Sequence, residues 1–411
     1  MLTRRDFLAS GLLATSAGLA VSPVLARGVL AAANDGIHND RVLVILQLGG
    51  GNDGLNTVVP YADASYHDAR PSLGVTADKV LRLDDHTGLN PALPGIKALY
   101  DAGRVAIVQG TGYDNPTYSH FEALHVWEHA DPTRRAVDGW LGALLAKQLD
   151  SQGHPLAGCA LGQASTPSEL RATGAVVSVI DSVQSYEVQG GVARQAAAPG
   201  LYRRTPGIYG ALFDQALATA ESGIAALKSS ASYTPAVQYT DGKTVYGSKD
   251  SVASSLQLTA QMIVTQPQVK ICHVALGGFD THQDEAARQA ALLADLDGAV
   301  SAFCKDLDAH GVADRVVLMT WSEFGRRVAE NGSGGTDHGS AAPMFVIGAP
   351  VKGGLYGEAP SLTDLDNGNL KHTVDFRAVY QAMIRDWLGA EARSVLGQAF
   401  PEIPLIRSPL A

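Results

Sequence analysis

Arg41-Val42-Leu43-Val44-Ile45-Leu46-Gln47-Leu48-Gly49-Gly50-Gly51-Asn52-Asp53-Gly54 is the stretch that decides the fold class. Its first eight residues are an almost unbroken Val, Ile and Leu run, without the polar alternation of a strand that has one wet face. Such a strand is covered on both faces, as in a parallel sheet. The glycines end it, and Asn52-Asp53 follow at once. In open α/β sheets ligands bind just beyond the carboxyl ends of the strands.

The same kind of run recurs at Arg104–Val108, Val269–Leu276, Arg315–Thr320 and Pro343–Ile347. Helical periodicity lies between the runs, over Pro91–Ala102, His120–His129, Trp140–Leu149, Ile208–Leu227, Glu285–His310 and Phe376–Leu388. Strands alternating with helices indicate an α/β sandwich with a mostly parallel central sheet. Residues 40–411 read as one domain. Within it, residues 181–249 are rich in Ser, Gln, Ala, Gly and Tyr, lack strand runs, and read as a helical insertion or cap.

The first 33 residues read as an address. Arg4-Arg5 with Phe7-Leu8 forms a twin-arginine signal, followed by a short, weakly apolar stretch and the small residues Ala31-Ala32-Ala33. This predicts export, with a periplasmic or secreted destination. No later run is long and apolar enough for an integral membrane segment. The chain carries 31 Lys and Arg against 41 Asp and Glu, a net charge of -10, which argues against nucleic acid as a partner. Three cysteines in 411 residues make neither a disulfide framework nor a Cys-rich zinc site.

Polar residues gather after the strand runs. Asp53 follows the first. Thr117-Tyr118-Ser119-His120 lies beyond the second, and Asp280-Thr281-His282 beyond the Val269 run. Ser322-Glu323-Phe324-Gly325-Arg326 follows the Arg315 run, and Asp337-His338 leads into the last. Asp and His in several Gly-rich loops at one sheet edge suit one or two divalent ions. Mixed carboxylate and imidazole donors favour zinc, with manganese, iron, magnesium or calcium as further candidates. Each residue also has an ordinary role open to it: Asp53 or Ser119 as a helix N-cap, Arg326 in a structural ion pair.

Two motifs compete. Gly49-Gly50-Gly51-Asn52-Asp53-Gly54 spells the dinucleotide fingerprint of an oxidoreductase, which needs a helix opening at its third glycine. The β-branched residues and Pro60 that follow make a poor one. His125-Val126-Trp127-Glu128-His129 spells the inverted zinc-protease motif.

Taken together, the run from Val42 to Tyr61 and the Gly-Gly-Phe-Asp-Thr-His, Ser-Glu-Phe-Gly-Arg and Thr-Asp-His-Gly-Ser blocks resemble domain of unknown function family 1501. So does the run Thr373–Tyr380. That family in turn resembles the alkaline phosphatase and sulfatase superfamily. The resemblance implies an alkaline phosphatase-like three-layer sandwich and metal-dependent hydrolysis of a phosphate or sulfate ester, on a small-molecule or glycan substrate. It implies metal ligation by Asp53, Asp337 and His338 at one site, and by Asp280, His282 and the distant His372 at a second. Asp280 and His282 stand two apart where the superfamily pair stands four apart. Ser119 matches the nucleophile, Arg326 or Arg327 would hold the non-bridging oxygens, and Glu323 would act as ligand or base. The alternative on the same fold is a non-catalytic exported binding or assembly protein.

Overall fold

The computed structural model describes residues 39–149, 154–181, 223–225, 227, 228, 230–240 and 251–407. The twin-arginine segment and most of the 181–249 insertion lie outside the described residues. The central sheet has nine strands: β1 (Val42–Gly49), β2 (Val105–Gly112), β3 (Gly158–Leu161), β4 (Val177–Ile180), β5 (Ile271–Gly277), β6 (Val316–Trp321), β7 (Ala342–Ile347), β8 (Gly354–Tyr356) and β9 (Val374–Asp375). Their order is β8-β2-β7-β6-β1-β5-β3-β4, with β9 also pairing β2. Only β7 runs antiparallel to its neighbours, β2 and β6. β1 lies centrally, parallel to β5 and β6 along nearly its whole length.

The Val/Ile/Leu run of β1 is explained by what covers it. Val42, Val44, Leu46 and Leu48 point into one hydrophobic core, and Leu43 and Ile45 into another. The first core is closed by helices Pro94–Asp101, Val252–Thr265 and Glu285–Ala309, the second by His120–His129, Trp140–Leu144 and Phe376–Ala382. Helices on both faces of a mostly parallel sheet make a three-layer α/β architecture. Among the described residues no helix is long and apolar enough to cross a membrane.

Three elements escape the pattern of the sequence. β3 is Gly158-Cys159-Ala160-Leu161, fully buried yet built from small residues with little strand signature. β4 lies at the edge of the sheet beside it, only four residues long. The Val252–Thr265 helix starts on a Ser251 cap, whose side chain accepts from Ser254 N, and hides its apolar positions among Ser, Thr and Gln. Two helices read as continuous loosen at their ends: Trp140–Leu144 runs into a π turn over Leu145–Leu149, and Phe376–Ala382 into another over Met383–Trp387.

Candidate functional site

The carboxyl ends of β1, β5 and β6 and the start of the antiparallel β7 meet at one edge of the sheet. Two glycines let them close. Gly50 has φ +115, and a Cβ there would stand 2.5 Å from the backbone nitrogen of Asp280. Gly51 has φ +78, and a Cβ would meet the Phe324 ring at 2.4 Å. Both conformations and both approaches require glycine. The close approach that these glycines allow is thus occupied by the protein's own loops. The helix that the dinucleotide fingerprint needs is a single turn, Gly54–Thr57, followed by strand Val58–Val59.

Arg326 gathers these loops. Its buried guanidinium donates from Nε to Gly51 O (2.7 Å), from Nη1 to Thr336 O (2.9 Å), and from Nη2 to Phe279 O (2.8 Å) and Asp280 Oδ1 (2.9 Å). A fork spent on fixed carbonyls and on Asp280, with its side chain buried, is an organiser of the site. The neighbouring Arg327 is exposed, and its charge acts on Asp337 and Tyr118. Arg326 and His338 face each other across an antiparallel bridge, which sets His338 beside Asp280.

Asp280 is the centre. Its Oδ1 lies 3.1 Å from His338 Nε2 and 3.1 Å from His282 Nε2, and its Oδ2 lies 3.6 Å from His120 Nε2. The two Nε2 atoms of His282 and His338 are 2.9 Å apart, and His282 Nδ1 is 3.2 Å from Asp337 Oδ1. Burial pushes the Asp280 carboxyl up, but bonds from Arg326 and His338 outweigh it and hold it down at about 2. Burial likewise opposes ionisation of Asp337, and bonds from Asn331 and His282 keep it below the usual carboxylate range.

The imidazoles are fixed from behind. His338 Nδ1 lies 2.8 Å from the carbonyl of Tyr118, which can only accept, so Nδ1 carries the proton. His120 opens the His120–His129 helix, and its Nδ1 is 2.7 Å from Glu323 Oε1; that bond raises the imidazole's pKa. Glu323 is 2% exposed, also accepts from Gly50 N at 2.9 Å, and keeps Oε2 buried without a partner. In their neutral forms His120 and His338 therefore turn lone pairs at Nε2 toward a carboxylate. One ligand atom from each of His120, Asp280 and His338 lies within 4.8 Å of the others. Converging lone pairs repel unless a proton or cation sits among them. Imidazoles backed by a carboxylate and a carbonyl are what a metal site requires of its surroundings. The donor set fits a divalent ion with mixed nitrogen and oxygen preference.

Asp280, His282, Asp337, His338, Arg326 and Glu323 are thus brought together. Asp53 is not among them. It is fully buried, its side chain caps the Gly54–Thr57 turn through Leu55 N, and its two oxygens take both Nη atoms of buried Arg70. Burial opposes its ionisation, yet Arg70 holds its pKa below the ordinary value. His372 stands apart, 3.9 Å from Asp114, with its Cβ against Gly112. Ser119 is exposed at the N-cap position, and its hydroxyl makes no capping bond. His120 was not assigned by sequence reasoning, although it stands directly after Ser119. Its signal is positional, because the first helical residue after an exposed cap looks back into the strand-end cleft.

The protease motif has another use. The rings of His125 and His129 stack at 4.0 Å, and His129 Nδ1 lies 2.9 Å from the carbonyl of His125. Burial and nearby Glu169 raise the Glu128 carboxyl to about 7. Among the described residues none of the three joins a cluster able to hold a metal.

Residues 40–385 match the family described as Protein of unknown function (DUF1501). The chain belongs to that family. No curated protein matches the chain. Similar solved structures include the PsFucS1 sulfatase from Pseudoalteromonas sp., at 13% identity and TM-score 0.39, covering 92% of this chain and 73% of that one. The C-terminal periplasmic domain of EcEptC from Escherichia coli is 10% identical with TM-score 0.39, over 87% of this chain and 85% of that one. A protein in the alkaline phosphatase superfamily from Vibrio parahaemolyticus is 10% identical with TM-score 0.38, over 81% and 70%.

Proposed function

We propose that this DUF1501 protein is an exported, metal-dependent hydrolase of phosphate or sulfate esters. The observation that carries the reading is the convergence of His120, Asp280 and His338 at the strand-end edge. Those three residues would hold a divalent ion, zinc first, with His282 facing the same centre and Asp337 behind it. The bound ion would supply positive charge against the transferred group and acidify a coordinated oxygen.

The chain's own residues do the rest. Ser119 stands exposed at the start of a ten-residue helix, where the unpaired N–H groups and the dipole favour an anion. Its Oγ attacks phosphorus or sulfur, the alcohol departs, and water then releases the acid and restores the serine. Of the two arginines that the sequence offers for gripping non-bridging oxygens, Arg327, exposed beside Asp337, takes the role. Glu323 fixes the His120 tautomer. Arg326 holds Asp280 ionised and ties three loops into one wall. Asp53 and Arg70 are structural in this scheme.

The test is hydrolysis of aryl phosphate and aryl sulfate esters by zinc-loaded wild type and Ser119→Ala. Turnover by the wild type that falls at least about a hundredfold in the variant, the scale on which single catalytic groups act, supports the reading. Full activity in Ser119→Ala removes the serine from the chemistry. A zinc-loaded wild type that hydrolyses neither ester class points instead to an exported binding protein.

A further inference from the structure

Among the described residues, three large hydrophobic side chains are exposed: Tyr118 at 39%, Phe121 at 87% and Val137 at 87%. All three fall within twenty residues of one another: Tyr118 and Phe121 flank the start of the His120 helix, and Val137 follows its end. The helix does not need Phe121, because it packs through Ala123, Val126 and Trp127. Helical Cα–Cβ bonds tilt toward the N-terminus, so Phe121 in the first turn leans toward the end where Ser119 and His120 stand. Tyr118 is anchored at that end. Its carbonyl lies against His338, and its phenol accepts from Asn369 Nδ2 at 3.0 Å. Arg134 pairs with Glu122 and draws the loop bearing Val137 back toward the same turn. Exposed apolar side chains at the rim of a polar cleft, with no role in the core, mark a contact surface for a ligand.

We infer that Tyr118 and Phe121 form an apolar wall at the rim of the site, selecting esters that carry a ring-sized apolar group. This rests on the hydrolase reading. The acid end of the substrate would meet His120, Asp280 and His338, and the apolar end would lie on the two aromatic rings.

The test uses binding, so that it does not depend on turnover. Zinc-loaded full-length protein is titrated calorimetrically with phenylphosphonate and with methylphosphonate, which share the acid and differ in the ring. The expected result is a roughly tenfold preference for the phenyl compound, the scale of one aromatic contact. That preference falls to about twofold or less in Phe121→Ser and survives in Phe121→Tyr, with zinc content unchanged throughout. Equal binding of the two compounds by the wild type, or a preference that persists in Phe121→Ser, overturns the inference and leaves the hydrolase reading standing. Failure of both compounds to bind overturns both.

Discussion

Asp53 and Asp280 occupy the same kind of place, just past the end of a parallel strand in a Gly-rich loop, yet the fold treats them in opposite ways. Asp53 is sealed beneath the loop with Arg70, both side chains fully buried. Its charge is answered by a guanidinium, and its remaining capacity goes to capping a helical turn. Asp280 is half-exposed, and its oxygens face three imidazoles. Arg326 touches one oxygen, and the Nε2 atoms of His120 and His338 face the same carboxylate. A strand-end carboxylate is free to serve as a ligand only where the protein withholds a complete set of its own partners.

That contrast can be broken most sharply at Arg70. Arg70→Met should cost about 3–5 kcal/mol, because a buried carboxylate loses its counter-charge. Much of this should return in the double variant Arg70→Met/Asp53→Asn. Denaturant unfolding measures it, and a cost under about 1 kcal/mol would mean that the pair is not structural.

At the exposed site the next effect is on affinity. Glu323→Gln weakens the acceptor that sets the His120 tautomer, so zinc affinity should drop roughly 10–100-fold in chelator competition. An unchanged affinity would remove Glu323 from the support of the site.

A pH-dependent effect links the two regions. Thr336 Oγ1 donates to buried Glu285 at 2.6 Å, and Glu285 shares its environment with Asp53. Burial, with Asp53 beside it, lifts the Glu285 carboxyl from 4.5 to about 9. Between those values the folded chain keeps a proton that the unfolded chain has lost. Its contribution is therefore complete below about 4.5 and fades as pH rises toward about 9. Glu285→Gln removes this titration, so its unfolding free energy should decline less steeply than the wild type's from pH 5 to 9. Parallel pH profiles would show that Glu285 is not protonated in the fold.

The sequence carried the architecture in its burial pattern. β1, β2, β5, β6 and β7 were legible because strands covered on both faces must be apolar throughout. β3 was not, because small residues pack as well in that position without advertising a strand. The direction of β7 could not be read either. A run of apolar residues has no polarity, and only the turn from Gly325 through His338 reverses the chain. The site was half legible. Asp280, His282, Asp337 and His338 stand where Gly-rich loops announce them. Asp53 looked equivalent because its partner, Arg70, is 17 residues away and anonymous in sequence. Arg326 looked like a ligand grip because nothing in a sequence says that its donors face carbonyls. His120 was overshadowed by the serine before it.

The most direct measurement is the zinc content per chain of three proteins purified without chelator, saturated with zinc and desalted: wild type, Asp280→Ala and His125→Ala/His129→Ala. About one ion is expected in the wild type and in the double variant, and a content near zero in Asp280→Ala. Zinc retained in Asp280→Ala but lost with His125 and His129, or absent from all three, would contradict a metal site centred on Asp280.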